Sequence, residues 1–334
     1  MNNEDLFAAQ ADAVPEELAA VAASKSSAEE SLLDRENVVG VGVGYKITDG
    51  VQTETPSVMV LVSQKVPTSL LASSDAAPET VDATPTDVLE VGTLFAGGGG
   101  GQKQLMRQEV DALTLAKRVR PARPGYSVGH FKITAGTIGA GCYDLSPVPG
   151  MPPRYYILSN NHVLANSNAA SIGDPILQPG PFDGGTLPAD VIGRLARFVP
   201  IKFDGSCNQV DAAVAEVPFH LIDRDVYWNG YPASAAKAAT VGMIVKKTGR
   251  TTNFTTGRVT AIAATVNVNY GGGNVAKFCN QIITSNMSAG GDSGSMVLDL
   301  ANNPVGLLFA GSSVATILNP IAMAQLALQV RVWP

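Results

Sequence analysis

From Lys132 to Pro320 the chain is cut into short runs of apolar and β-branched residues, each closed by Gly, Pro, Asn or Asp. The runs include KITAGTIGAGCY, RYYILSNNHVL, DVIGRLARFVPI, VDAAVAEV, GMIVKKTG, TTGRVTAIAATVNVNY, KFCNQIITS, GSMVLDL and PVGLLFAG. Segments this short and this closely spaced suit strands and leave no room for long helices. They predict an antiparallel barrel or sandwich architecture. Composition agrees, because 34 Gly and 21 Pro in 334 residues, with only 16% charged side chains, favour turns over solvated helical faces. The tail NPIAMAQLALQVRV has apolar residues at helical spacing and predicts a terminal helix packed on the strands.

The N-terminal third reads differently. Residues 1–36 are rich in Ala, Glu and Ser with loosely helical apolar spacing, so an acidic, partly ordered helix in solvent is expected. In NVVGVGVGYKITDGVQTETPSVMVLVSQKVP two β-branched runs flank TDG, which predicts a hairpin. A short helix near Thr68–Ala72 and the strand TDVLEVGTLF complete a small β-β-α-β unit over residues 37–95. Gly40, Gly42 and Gly44 lack the spacing and the following helix of a dinucleotide fingerprint, and read as small residues on one strand face. Residues 96–125 carry AGGGGGQKQ and then six basic residues between Lys103 and Arg123, and read as a linker to a main domain over 126–334.

Formal charge is −6, unevenly spread: residues 1–90 hold 16 acidic and 4 basic side chains, residues 91–334 hold 13 and 19. The basic cluster is short and poor in aromatics, so no nucleic-acid partner is predicted. No apolar run approaches the ~20 residues of a membrane helix, so no membrane partner is predicted either. The start MNNEDLFAAQ lacks the basic end and apolar core of a secretory signal, giving a cytoplasmic expectation. Cys142, Cys207 and Cys279 are too few and too scattered for a disulfide framework or zinc site, so buried free thiols are expected, with a Cys207–Cys279 pair left open. The three histidines, His130, His162 and His220, form no cluster with cysteine, and neither metal nor cofactor is expected.

Three stretches carry chemistry. Residues 288–297, SAGGDSGSMV, put Ser293 in a Gly-rich turn that runs into an apolar strand. Glycines ahead of a serine let backbone N–H groups converge on a developing oxyanion, with Gly291 and Ser293 as donors. His162 lies in YYILSNNHVLAN, where an apolar strand meets a small polar turn, and suits a base reached by substrate. Asp211 lies in CNQVDAAVAEV, ahead of a strand of small apolar residues, where a buried carboxylate would orient an imidazole. Each stretch alone also fits an ordinary turn. Together, in the order His–Asp–Ser and separated by 49 and 82 residues, they predict nucleophilic serine catalysis.

The region from about Gly136 to Pro320 resembles the chymotrypsin/trypsin-like serine peptidases. GDSGS resembles the family's nucleophile motif, SNNHV its histidine motif and VDAAVAEV its aspartate motif, while KKTGRTTNFTTGRV resembles a strand-turn-strand of bacterial members. ILSNNHVLAN, GDPILQPGPFDGG and VVGVGVGYK are similar to segments of bacterial trypsin-like peptidases related to the plant Narrow-leaf proteins, a likeness that covers nearly all the chain after residue 36. The resemblance implies a mainly β fold of two six-stranded antiparallel barrels, preceded by a small α+β unit, with the active site in the cleft between barrels. It implies a serine endopeptidase acting on protein or peptide substrates, and homo-oligomers. Val163 stands where secreted animal members carry a disulfide cysteine, and no Ile-Val-Gly-Gly start is present to release an amine for Asp292.

By the same resemblance the substrate pocket is formed by Met287 and Ser288 on one side and Phe309, Ala310 and Gly311 on the other. Met287 replaces a basic-selecting aspartate, so an apolar P1 residue is expected. Two other functions share these residues: an esterase using the same triad, and a catalytically silent peptide-binding scaffold. The N-terminal unit reads as an inhibitor or folding aid, an oligomerisation element or a docking module, and the Gly-rich stretch after it permits self-cleavage.

Overall fold

The computed structural model describes residues 14–97, 115–145 and 153–334. Most of the predicted Gly-rich and basic linker, and the first part of the acidic segment, lie outside the described residues. The N-terminal region forms helix α1 (Ala19–Leu33), hairpin β1 (Val38–Thr48) and β2 (Val51–Val62), the pair β3 (Thr80–Val81) and β4 (Thr84–Glu90), and the two-residue strand β5 (Phe95–Ala96). There follow β6 (Ser127–His130), β7 (Gly136–Thr137), β8 (Ala140–Asp144), β9 (Tyr155–Ser159), the one-turn helix α2 (Asn161–Leu164), β10 (Pro175–Leu177), β11 (Val191–Phe198), β12 (Cys207–Asn208) and β13 (Ala213–Glu216). The rest is β14 (Ile244–Gly249), β15 (Asn253–Asn269), β16 (Val275–Ser285), β17 (Met296–Asp299), β18 (Pro304–Gly311), β19 (Ala315–Pro320), helix α3 (Ile321–Leu328) and β20 (Val330–Val332).

The fold is mainly β, as the turn-punctuated sequence predicts. One sheet runs β20-β8-β9-β13-β11-β10-β6-β7 and curls into a barrel-like layer. In the other, β14, β15, β16, β19, β18 and β17 pair in succession, and β17 returns to β14, closing a six-stranded antiparallel barrel. Between the two layers lies an apolar core that includes Tyr156, Leu158, Val214, Met296, Leu307 and Ile321. The predicted terminal helix is α3; it seals this core, after which β20 pairs with β8.

The N-terminal unit is joined to the second barrel by main-chain hydrogen bonds. β1 pairs antiparallel with β15, Gly40 opposite Val266 and Val41 opposite Thr265, so β1, β2, β4 and β3 extend the barrel's sheet. The alternating glycines of β1 have a steric cause: a Cβ on Gly40 would lie 2.7 Å from the Thr265 carbonyl oxygen, and one on Gly44 2.8 Å from Met59. Helix α1 differs from the solvated helix expected. Leu18 just before it, and its own Val21 and Leu32, enter a core with Val41, Val43 and Val58, while the buried Lys25 ammonium donates to Thr265 Oγ1 at 3.0 Å and pairs with Glu29.

The cysteine expectation is corrected. Cys207 and Cys279 are joined in a disulfide, because the parallel pairing of β12 with β16 brings their Cα atoms to 5.8 Å; Cys142 alone is a buried free thiol. No helix among the described residues is long and apolar enough to cross a membrane.

Candidate active site

The first barrel supplies an acid–base pair. β9 ends at Ser159, and the polar Asn160–Asn161 step turns the chain into the single turn α2, anchored by the buried Val163 and Leu164. This turn carries His162. Asp211 lies two residues before β13 and is fully buried. Its Oδ2 accepts the His162 Nδ1–H at 2.5 Å, and its Oδ1 accepts the His162 backbone N–H at 3.2 Å. The carboxylate therefore fixes both the ring's direction and its tautomer, leaving Nε2 with a lone pair. Nε2 is buried without a hydrogen-bond partner among the described residues.

The second barrel holds that pair from behind. Asn319 Oδ1 on β19 accepts the Asp211 N–H at 3.0 Å, and the Tyr270 hydroxyl donates to Asp211 Oδ2 at 2.8 Å. Burial first, and then the adjacent Asp211 charge, push the Tyr270 phenol well above its ordinary value, so it stays a donor. Its ring meets the His162 ring edge-on, with centroids 6.1 Å apart. Nothing local in VNVNYGGG marks Tyr270, because its partner lies 59 residues away.

Ser293 sits on a turn that only glycine can build. Gly291 has φ +98°, and a Cβ there would lie 2.5 Å from Thr251 Oγ1; Gly294 has φ +95°, and a Cβ would lie 2.0 Å from Ser159 Oγ. The turn is clamped to the first barrel: Thr137 Oγ1–H donates to the Gly291 carbonyl at 2.9 Å, and Thr137 N–H to the Ser293 carbonyl at 2.8 Å. Neither the Gly291 nor the Ser293 N–H is used in a hydrogen bond among the described residues.

Asp292 fixes the turn through charge. Its carboxylate accepts N–H bonds from Thr251 (2.9 Å), Thr252 (3.1 Å) and Ala289 (3.0 Å), and it pairs with Lys247 Nζ at 3.1 Å. Both side chains of this pair are fully buried. Burial lowers the Lys247 pKa, an effect that Asp292 opposes. The internal Lys247 from β14 is thus the cation that faces Asp292.

A small cavity adjoins Ser293, lined by Ser288, Gly290, Leu308, Ala310 and Gly311 together with Phe95 and Gly97. Of the residues expected at the substrate pocket, Ser288, Ala310 and Gly311 line this cavity, and Met287 and Phe309 do not. Met287 packs against Gly257 in the core beneath α1, and Phe309 is fully buried against Phe278 with ring centroids 4.7 Å apart. Thr316, which the sequence did not single out, bonds Ser288 Oγ through its own hydroxyl at 2.7 Å beside the cavity. Of the other histidines, His130 is buried and bonded to Asp174 (3.1 Å), and His220 is exposed. No metal-binding cluster occurs among the described residues.

Comparison with known proteins places two stretches of the chain. Residues 18–91 match the family model of the NARROW LEAF 1 N-terminal domain. Over 190 residues the chain is 32% identical to glutamyl endopeptidase 2 of Streptomyces griseus, spanning 54% of this chain and 86% of that protein. Among solved structures, a glutamic-acid-specific serine protease shares 23% identity over 64% of this chain and all of its own, with a TM-score of 0.44. Nocardiopsis protease shares 17% over 64% of this chain and all of its own, with a TM-score of 0.45.

Proposed function

The chain belongs to the chymotrypsin/trypsin-like serine peptidases, and from that premise we propose that it is a serine endopeptidase with Ser293 as nucleophile, His162 as base and Asp211 as the group that orients the base. The observation that carries this reading is the His162–Asp211 pair: a buried carboxylate holds Nδ1–H and leaves Nε2 without a partner beside Gly97, which lines one cavity with Ser293. Ser293 Oγ attacks the scissile carbonyl carbon as its proton passes to Nε2. The N–H groups of Gly291 and Ser293 receive the oxyanion, while Asp211 stabilises the imidazolium. His162 then protonates the leaving amine, and water, deprotonated by the same nitrogen, releases the acyl group. Tyr270 is a positioning residue that acts through Asp211.

Among the described residues no charged side chain lines the cavity, which supports an uncharged, apolar P1 residue. A second reading, an acidic P1 residue, is favoured by the Ser288 and Thr316 hydroxyls beside the cavity and by the glutamyl preference named for the Streptomyces relative. Cleavage of a peptide library separates the two, and dominant cleavage after Lys or Arg would exclude both. A fluorophosphonate should label the wild-type protein and not Ser293→Ala, whose turnover should fall by about 10⁴- to 10⁶-fold. A folded wild type that never reacts would point instead to a silent peptide-binding scaffold.

A further inference from the structure

The strand β5 stands where a substrate's backbone would be expected. Phe95 lies opposite Gly311 and Ala96 opposite Ala310, antiparallel, at the end of β18 that lines the Ser293 cavity. The next residue, Gly97, comes up to the base. A Cβ at Gly97 would lie 3.3 Å from His162 Cδ2 and 3.5 Å from Nε2, and its φ of +68° also excludes most side chains. Gly97 and Ser293 line one cavity. With this segment in place Ser293 is only 5% exposed and the His162 side chain 9%.

The segment is anchored rather than merely adjacent. Val91 and Leu94, just upstream, are 1% exposed and share a core with Phe309 and Ala310. The Leu94 carbonyl accepts the Asn269 N–H at 2.9 Å, the Val91 N–H donates to Val62 at 2.9 Å, and Ser312 Oγ–H donates to the Val91 carbonyl. Phe95 also pairs with Asn269 on the far side, so β5 bridges β15 and β18.

An extended peptide presented to Ser293 gains affinity by adding its main chain to a free strand edge beside the nucleophile. β19 covers one edge of β18 at Ala310–Gly311, and β5 covers the other. We infer that Phe95–Ala96–Gly97 is a ligand of the site in cis: the chain occupies its own acyl-side substrate groove, and a peptide substrate must displace β5 to bind. The inference rests on the endopeptidase reading above. It assigns the groove a ligand class, an extended segment with small residues next to His162, and gives the N-terminal unit a regulatory role. Being tethered, the segment competes at an effective concentration of about millimolar, so it raises the apparent KM without altering the chemical step.

Two measurements on the full chain test this. Ala96→Pro removes a main-chain donor and disfavours the strand; it should lower KM for a peptide substrate at least tenfold with kcat unchanged, and an unchanged KM overturns the inference. The second needs no variant. The wild type is treated with a tripeptidyl diphenyl phosphonate bearing the preferred P1 residue, and amide exchange is followed at Phe95–Gly97. Faster exchange there after labelling supports displacement, whereas full labelling with unchanged exchange overturns it. Labelling by a small fluorophosphonate but not by the tripeptidyl reagent also supports an occupied groove. If neither reagent reacts, the nucleophile assignment itself fails and takes this inference with it.

Discussion

The two barrels fix their halves of the site by different means. In the first, Asp211 is held by neutral groups, Asn319 and Tyr270, and its charge is directed at His162. In the second, Asp292 is spent entirely on structure: three amides, a threonine hydroxyl and the buried Lys247 surround it, and its charge shapes the Ser293 turn. One buried carboxylate is paired with an imidazole; the other is paired with a buried ammonium and enclosed by four further donors. The contrast is between a carboxylate aimed at a ring nitrogen and one enclosed by the turn it holds.

Substitutions can break that contrast in order of expected size. Asp211→Asn should lower kcat by about 10⁴-fold with the fold retained, because the amide no longer holds Nδ1 as a donor. Lys247→Met strands Asp292 as a buried, unbalanced charge and should cost about 3–5 kcal/mol in denaturant unfolding, with loss of activity following loss of the turn. Equal stability of Lys247→Met and wild type would show that the amides suffice. Tyr270→Phe removes one hydrogen bond to a charged acceptor, a change of about 1.5–3 kcal/mol at most. It should lower kcat about tenfold, with KM unchanged and the acid limb of the kcat/KM profile moved to higher pH, since Asp211 becomes more basic and favours the imidazolium. An unmoved limb would make Tyr270 structural only.

The smallest effect tests a carboxylate with no part in the site. Burial pushes Asp299 up, but Lys237, the Asn303 side chain and the N–H groups of Asn303 and Ala301 outweigh it and leave the carboxyl at about 2. A folded-state pKa below the unfolded value near 3.9 stabilises the fold above about pH 4, and that contribution is lost as pH falls toward 2. Asp299→Asn should therefore lose less Tm than wild type between pH 5 and pH 2; identical losses would remove Asp299 from the acid response.

How much of this was legible in the sequence follows from where each partner lies. The strand runs, the β1–β2 hairpin and α3 were legible because period and turn chemistry are local. The stretches around His162, Asp211 and Ser293 were legible because each carries its own strand-to-turn context. Met287 and Phe309 stay out of the cavity for different reasons: on β18 neighbouring residues face opposite sides, so Ala310 reaches the cavity while Phe309 enters the core, whereas Met287 lies in the loop after β16 and packs against Gly257. Tyr270, Lys247 and the Cys207–Cys279 bond act on groups 59, 45 and 72 residues away, and no local pattern announces such pairings.

The pairing of β1 with β15 has a consequence for how the molecule is made. On a ribosome, Gly40 emerges long before its partner Val266, so the hairpin must wait through the synthesis of the first barrel with a hydrogen-bonding edge unmet. Contacts of such sequence separation form late and slowly. β5 pairs with the same β15 and with β18, which emerges later still. The groove beside Ser293 and the segment lying in it are thus completed together, once β18 has been made.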